Sequence, residues 1–82
     1  NDFPLIGTWI SRDGRMVLNI KNLKNEGKPE EERYVDYVEN GMRMLRRTYQ
    51  SMPQNYQVVF IDGTELKLAS KEGIIAFLRA SK

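Results

Sequence analysis

Histidine and cysteine are both absent from these 82 residues, so the side chains able to do chemistry are carboxylates, arginines, lysines, hydroxyls and tyrosines. A Ser-His-Asp triad, a thiol nucleophile and the usual zinc sites are therefore excluded. The six glycines are scattered at turn positions, so no glycine-rich phosphate loop is present. Asp36 is the best-placed carboxylate. In Tyr34-Val35-Asp36-Tyr37-Val38 strand alternation puts it on one face with Tyr34 and Val38. If Val35 and Tyr37 face inward, which is the expectation, Asp36 is solvated. If Asp36 faces inward, it needs an arginine or hydroxyl partner, or it serves as the reactive group of a carboxylate-only enzyme.

Arginines form the second constellation. Arg43, Arg46 and Arg47 lie within one stretch beside Tyr49, and residues 42–50 carry no acidic side chain. The preceding stretch, 24–39, is acidic on balance. Asn40-Gly41 joins the two as a hairpin, so pairing of opposite charges across strands is the simplest expectation. An anion patch is the sharper alternative. A net charge of +2 does not supply the broad positive field of a nucleic-acid site, and no nucleic-acid partner is expected. Met42 and Met44 alternate along the same stretch, where methionine either fills gaps or lines an adaptable pocket. Glu30-Glu31-Glu32 lacks the spacing of a calcium loop and reads as solvent-facing charge. The candidate ligand or partner contacts are thus Tyr34, Asp36, Met42, Arg43, Met44, Arg46, Arg47 and Tyr56.

The elements that must position these residues read as strands. Asp13-Gly14, Asn40-Gly41 and Asp62-Gly63 suit two-residue hairpins, and Lys71-Glu72-Gly73 a slightly longer one. Between them the sequence predicts strands near 5–11, 15–21, 33–38, 42–50, 55–61, 64–69 and 74–80, with no helix. Met16, Leu18 and Ile20 share a face, as do Thr64, Leu66 and Leu68. The strands around Tyr56-Gln57-Val58-Val59-Phe60-Ile61 and Ile74-Ile75-Ala76-Phe77-Leu78 are apolar on both sides. The expectation is an all-β, single antiparallel meander of about seven to eight short strands, a closed or nearly closed barrel. Its outward apolar residues would meet a terminus, a loop or another chain. Residues 1–82 form one domain, with a charged loop at about 22–32 and a turn at Ser51-Met52-Pro53-Gln54.

Gly7-Thr8-Trp9, which holds the only tryptophan, resembles the Gly-X-Trp signature on the first strand of lipocalins and fatty-acid-binding proteins, the calycin group of meander barrels. In that group a basic residue of the last strand packs across the indole, and Arg79 stands where this residue is required. A small bacterial inhibitor of metalloproteases looks like a compact relative of the same group. The resemblance implies a barrel whose first and last strands meet, with Gly7, Trp9 and Arg79 at the closure. Eight or ten strands are usual in the group, and fewer, shorter strands leave less room for a cavity.

Without catalytic chemistry, the expected function is a non-enzymatic protein-interaction or inhibitor-like domain that needs no cofactor. The alternative is a carrier of a small hydrophobic ligand, with Trp9, Tyr34, Tyr56, Met42 and Met44 around it. A protein partner or a homodimer would also add buried area to a chain this short. No apolar run approaches the roughly 20 residues of a membrane span. The chain begins at Asn1 rather than methionine, which points to a removed tag or signal and tilts the expected location toward secretion or the cell envelope.

Overall fold

A computed structural model describes residues 3–24 and 32–80. Among these residues seven strands follow one another: β1 (Gly7–Ser11), β2 (Val17–Ile20), β3 (Arg33–Glu39), β4 (Met42–Tyr49), β5 (Met52–Ile61), β6 (Glu65–Ser70) and β7 (Gly73–Arg79). All pairings are antiparallel, in the order β2-β1-β7-β6-β5-β4-β3. First and last strands do pair, Trp9 opposite Arg79 and Ser11 opposite Phe77. The meander nevertheless stays open. It is a strongly curled half-barrel whose two edges are β2 and β3, so the closed form of the expectation is corrected at one seam.

Alternation decides the concave face. Trp9, Leu18, Ile20, Tyr34, Leu45, Tyr56, Ile61, Leu66, Leu68 and Phe77 converge there as the buried core, joined by Leu5 from the segment before β1. Met16, Leu23, Val58 and Ile75 pack against it. Fully burying one such large side chain contributes about 1.5–3 kcal/mol.

Three local readings are revised. Alternation along β5 groups Phe60 with Tyr56 and Val58, and Ile61 with Gln57 and Val59, both faces being apolar, but the register with β6 slips between Val58 and Phe60. That bulge inserts one residue; Ile61 is buried and Phe60 exposed. The connection expected at 51–54 is instead a two-residue turn at Gln50-Ser51, both with positive φ, and Tyr49 pairs directly with Met52. Pro53 then lies within β5, where β6 has not yet begun to pair, so its missing N–H leaves no gap in a ladder. Finally, Asp13 and Asp62 do not adopt the mirrored two-residue turn, since neither has positive φ. Each folds its carboxylate back onto the turn instead. Asp13 accepts from Ser11 Oγ at 2.6 Å and from the Arg15 N–H at 3.0 Å, and Asp62 accepts from the Thr64 and Glu65 N–H groups at 2.8 and 2.7 Å.

Residues 25–31, most of the expected charged loop and including Glu30 and Glu31, lie outside the described residues. Among the described residues no helix is long and apolar enough to cross a membrane.

Candidate functional site

One end of the half-barrel is a packed closure. Trp9 is fully buried and donates its indole N–H to the Leu5 carbonyl at 3.0 Å. The Arg79 guanidinium carbon lies 4.2 Å from the centre of the indole ring. Its Nη1 donates to the Ile6 carbonyl and its Nε to the Gly63 carbonyl, each at 3.1 Å. One side chain thus ties the first strand, the segment before it and the turn between β5 and β6. Gly7 makes this approach possible. Its φ is +141°, and a Cβ at this position would collide with Arg79 Nη1. Trp9 belongs to the same buried cluster as Leu5, Leu18, Ile20, Leu66 and Phe77, and it does not line the cavity at the other end.

The opposite mouth is different. A cavity of about 530 Å³ opens there between Met16, Arg47, Gln54, Tyr56, Ser70 and Ile75. Arg47 projects toward it from the concave face of β4 and pairs through Nε with Glu32. Its Nη1 also reaches Gln54 Oε1 at 3.3 Å, which accepts from Tyr56 Oη at 3.0 Å. Glu32 is therefore a structural carboxylate, not the solvated charge expected from the sequence. Tyr34, opposite Arg47 in the register, is buried beside the Arg47–Glu32 pair, close enough to feel both charges, although its hydroxyl makes no well-aligned hydrogen bond among the described residues. Burial, followed by the neighbouring Glu32 carboxylate, pushes its pKa well above the ordinary tyrosine value. Burial opposes the Arg47 charge, yet the Tyr34 and Glu32 oxygens outweigh it and hold the guanidinium more firmly protonated. Burial also raises Tyr56, against the pull of Arg47. The mouth can hold a small molecule with both an apolar body and hydrogen-bonding groups.

The remaining sequence candidates divide between the two faces. Asp36 sits on the concave face, contrary to the expectation that Val35 and Tyr37 would turn inward. It remains 38% exposed and lies 3.9 Å from Arg43, since it faces the open seam instead of the packed end. Arg43 also donates to the Phe3 carbonyl at 2.8 Å. Arg46 points the other way: it covers the Tyr37 ring at 4.9 Å and donates to Asn55 Oδ1 at 2.9 Å. The three arginines therefore do not form one anion patch. Met42 and Met44 share the convex face with Arg46, away from the cavity. Of the pocket predicted from the sequence, Tyr56 alone lines this mouth. Met16, Gln54, Ser70 and Ile75 were missed, because only folding brings the three hairpins together.

On the convex face Ile10 stands opposite both Val17 and Leu78. These three are 37%, 49% and 43% exposed and form an apolar row across β2, β1 and β7. The break in alternation at Val17 is its sequence signal. Among the described residues no cluster of three or more carboxylates could hold a metal ion. No protein family, curated protein or solved structure gives a significant match to the chain.

Proposed function

We propose that this chain is a non-enzymatic protein-interaction domain that receives an apolar surface of its partner on the row Val17, Ile10 and Leu78. The observation that carries this reading is the register itself: three large apolar side chains stand abreast on adjacent strands, outside the core. Single exposed apolar residues are ordinary, whereas a contiguous row marks a contact surface. A calycin-like ancestry belongs to the same reading; it is supported by Gly7-Thr8-Trp9 and by Arg79 lying across the indole.

Capture from the native source with immobilised wild type, against Ile10→Asp/Leu78→Asp, tests the proposal. The partner should be retained by the wild type and lost by the double variant, with the melting midpoint of the variant within a few degrees. A partner held equally by both proteins refutes the assigned face.

The cavity supports a second reading, a carrier of a small ligand. About 530 Å³ lies within the range of small-molecule sites. The polar groups of Arg47, Gln54 and Tyr56 favour an amphipathic ligand over a purely hydrophobic one. Ligand titration followed by backbone amide shifts should move residues 54–56 and 70–75. Shifts confined to other strands would discard the carrier.

A further inference from the structure

Among the described residues β3 pairs only with β4, leaving its other side as a free edge seven residues long. The other edge, β2, has only four. Edge strands are commonly blunted by charged side chains, above all lysine, by an inward-pointing charge, by proline, by a bulge or by short length; β3 has one such inward charge, Asp36, which Arg43 of the same chain flanks. Arg33-Tyr34-Val35-Asp36-Tyr37-Val38-Glu39 contains neither lysine nor proline and pairs with β4 without a register shift.

Backbone orientation follows from the turn. Asn40 and Gly41 have φ of 53° and 76°, the mirrored two-residue turn that closes on a hydrogen-bonded pair, here Glu39 with Met42. Hydrogen-bonded and non-bonded pairs alternate from there. Arg33, Val35, Tyr37 and Glu39 therefore turn their backbone groups to β4, while Tyr34, Asp36 and Val38 present theirs to the free edge.

We propose that this edge binds a second copy of the chain, β3 antiparallel to β3 about a two-fold axis through Asp36. The strand is self-complementary in that register. Arg33 stands opposite Glu39 of the second copy at both ends, Tyr34 opposite Val38, and Val35 opposite Tyr37. Opposite-charge pairs and pairs of aromatic with β-branched side chains are the favoured cross-strand combinations. Among the described residues neither Arg33 nor Glu39 has an ion-pair partner, and Arg33 Nε is buried without an acceptor. Val38, 72% exposed, gains a neighbour. Sliding the register by two residues either way separates both charge pairs. The one unfavourable element is Asp36 facing its own copy, each flanked by Arg43 of its own chain at 3.9 Å. The convex row stays free on both copies, so this surface is independent of the proposed partner face.

Sedimentation velocity of the full chain from micromolar to millimolar concentration tests the pairing. The wild type should pass from monomer to dimer across that range. Arg33→Glu should weaken the dimer by about tenfold or more, because it places like charges at both ends. Arg33→Glu/Glu39→Arg should restore it, and Asp36→Asn should tighten it. Asp36→Pro should abolish the dimer with the fold retained, since the lost N–H lies on the free edge. A wild type that stays monomeric throughout overturns the proposal. So does a dimer that ignores Asp36→Pro, or a charge reversal that fails to rescue Arg33→Glu. A dimer dissolved by Leu78→Asp alone would place self-association on the convex face and also overturn it.

Discussion

Gly7→Ala offers the sharpest test of the closure, because two separable penalties meet at one missing methyl group. The first is backbone strain: φ of +141° lies where an L side chain costs about 1–3 kcal/mol. The second is displacement of Arg79, whose Nη1 occupies the space the new Cβ would take. Moving it loses the bond to the Ile6 carbonyl and loosens the guanidinium over Trp9. For a half-exposed charged donor that is about 1–2 kcal/mol. Gly7→Ala should therefore destabilise by about 2–5 kcal/mol in the wild type. In an Arg79→Ala background only the strain remains, about 1–3 kcal/mol. Urea denaturation of the four proteins, followed through Trp9 emission, reads both numbers. A double-mutant cycle additive to within about 0.5 kcal/mol would show that Gly7 and Arg79 do not share this space. A Gly7→Ala cost below about 0.5 kcal/mol would remove the strain argument as well.

Trp9→Ala should lower stability by about 3–5 kcal/mol, the range for a fully buried large aromatic; an unchanged denaturation midpoint would place the ring elsewhere. Lipophilic compounds should leave Trp9 emission unshifted, since the indole is fully buried in the core and does not line the mouth cavity; a concentration-dependent blue shift would contradict the packed closure. Asp62→Ala should lower the melting temperature at neutral pH, because the Thr64 and Glu65 N–H groups hold this carboxyl below its ordinary pKa of 3.8. The sign is fixed by linkage: a depressed folded pKa stabilises above 3.8 and loses that stabilisation as pH falls through the lower folded value. The wild type and variant should thus converge in strong acid, and a gap that widens there would reverse the assignment.

Much of the fold is legible in local pattern. Asn40-Gly41 marks a two-residue turn because both positions require positive φ, and Leu18, Ile20, Leu66 and Leu68 reveal their inward faces by alternation. The candidate site is less legible. Asp36 was expected outside on the strength of Val35 and Tyr37, yet alternation gives two faces without saying which is concave. Phe60 does not share the buried face of Tyr56, because a bulge leaves no composition signal that period-two counting can detect. Glu32 looks like surface charge until β3 and β4 align it with Arg47. The mouth cavity draws its walls from three hairpins far apart in sequence.

By itself, then, the sequence determined the strands, their approximate ends and the chemistry excluded by the absence of histidine and cysteine. Those follow from backbone sterics, side-chain period and functional-group inventory, all local quantities. The tertiary structure decided which edge remains open, which face is concave, and which side chains meet at the cavity and the convex row. Such properties depend on register between distant strands, and a slip of one residue moves every side chain beyond it to the other face. For Gly7, Trp9 and Arg79, sequence supplied three residue types near opposite ends of the chain. Pairing of β1 with β7 made them a single contact.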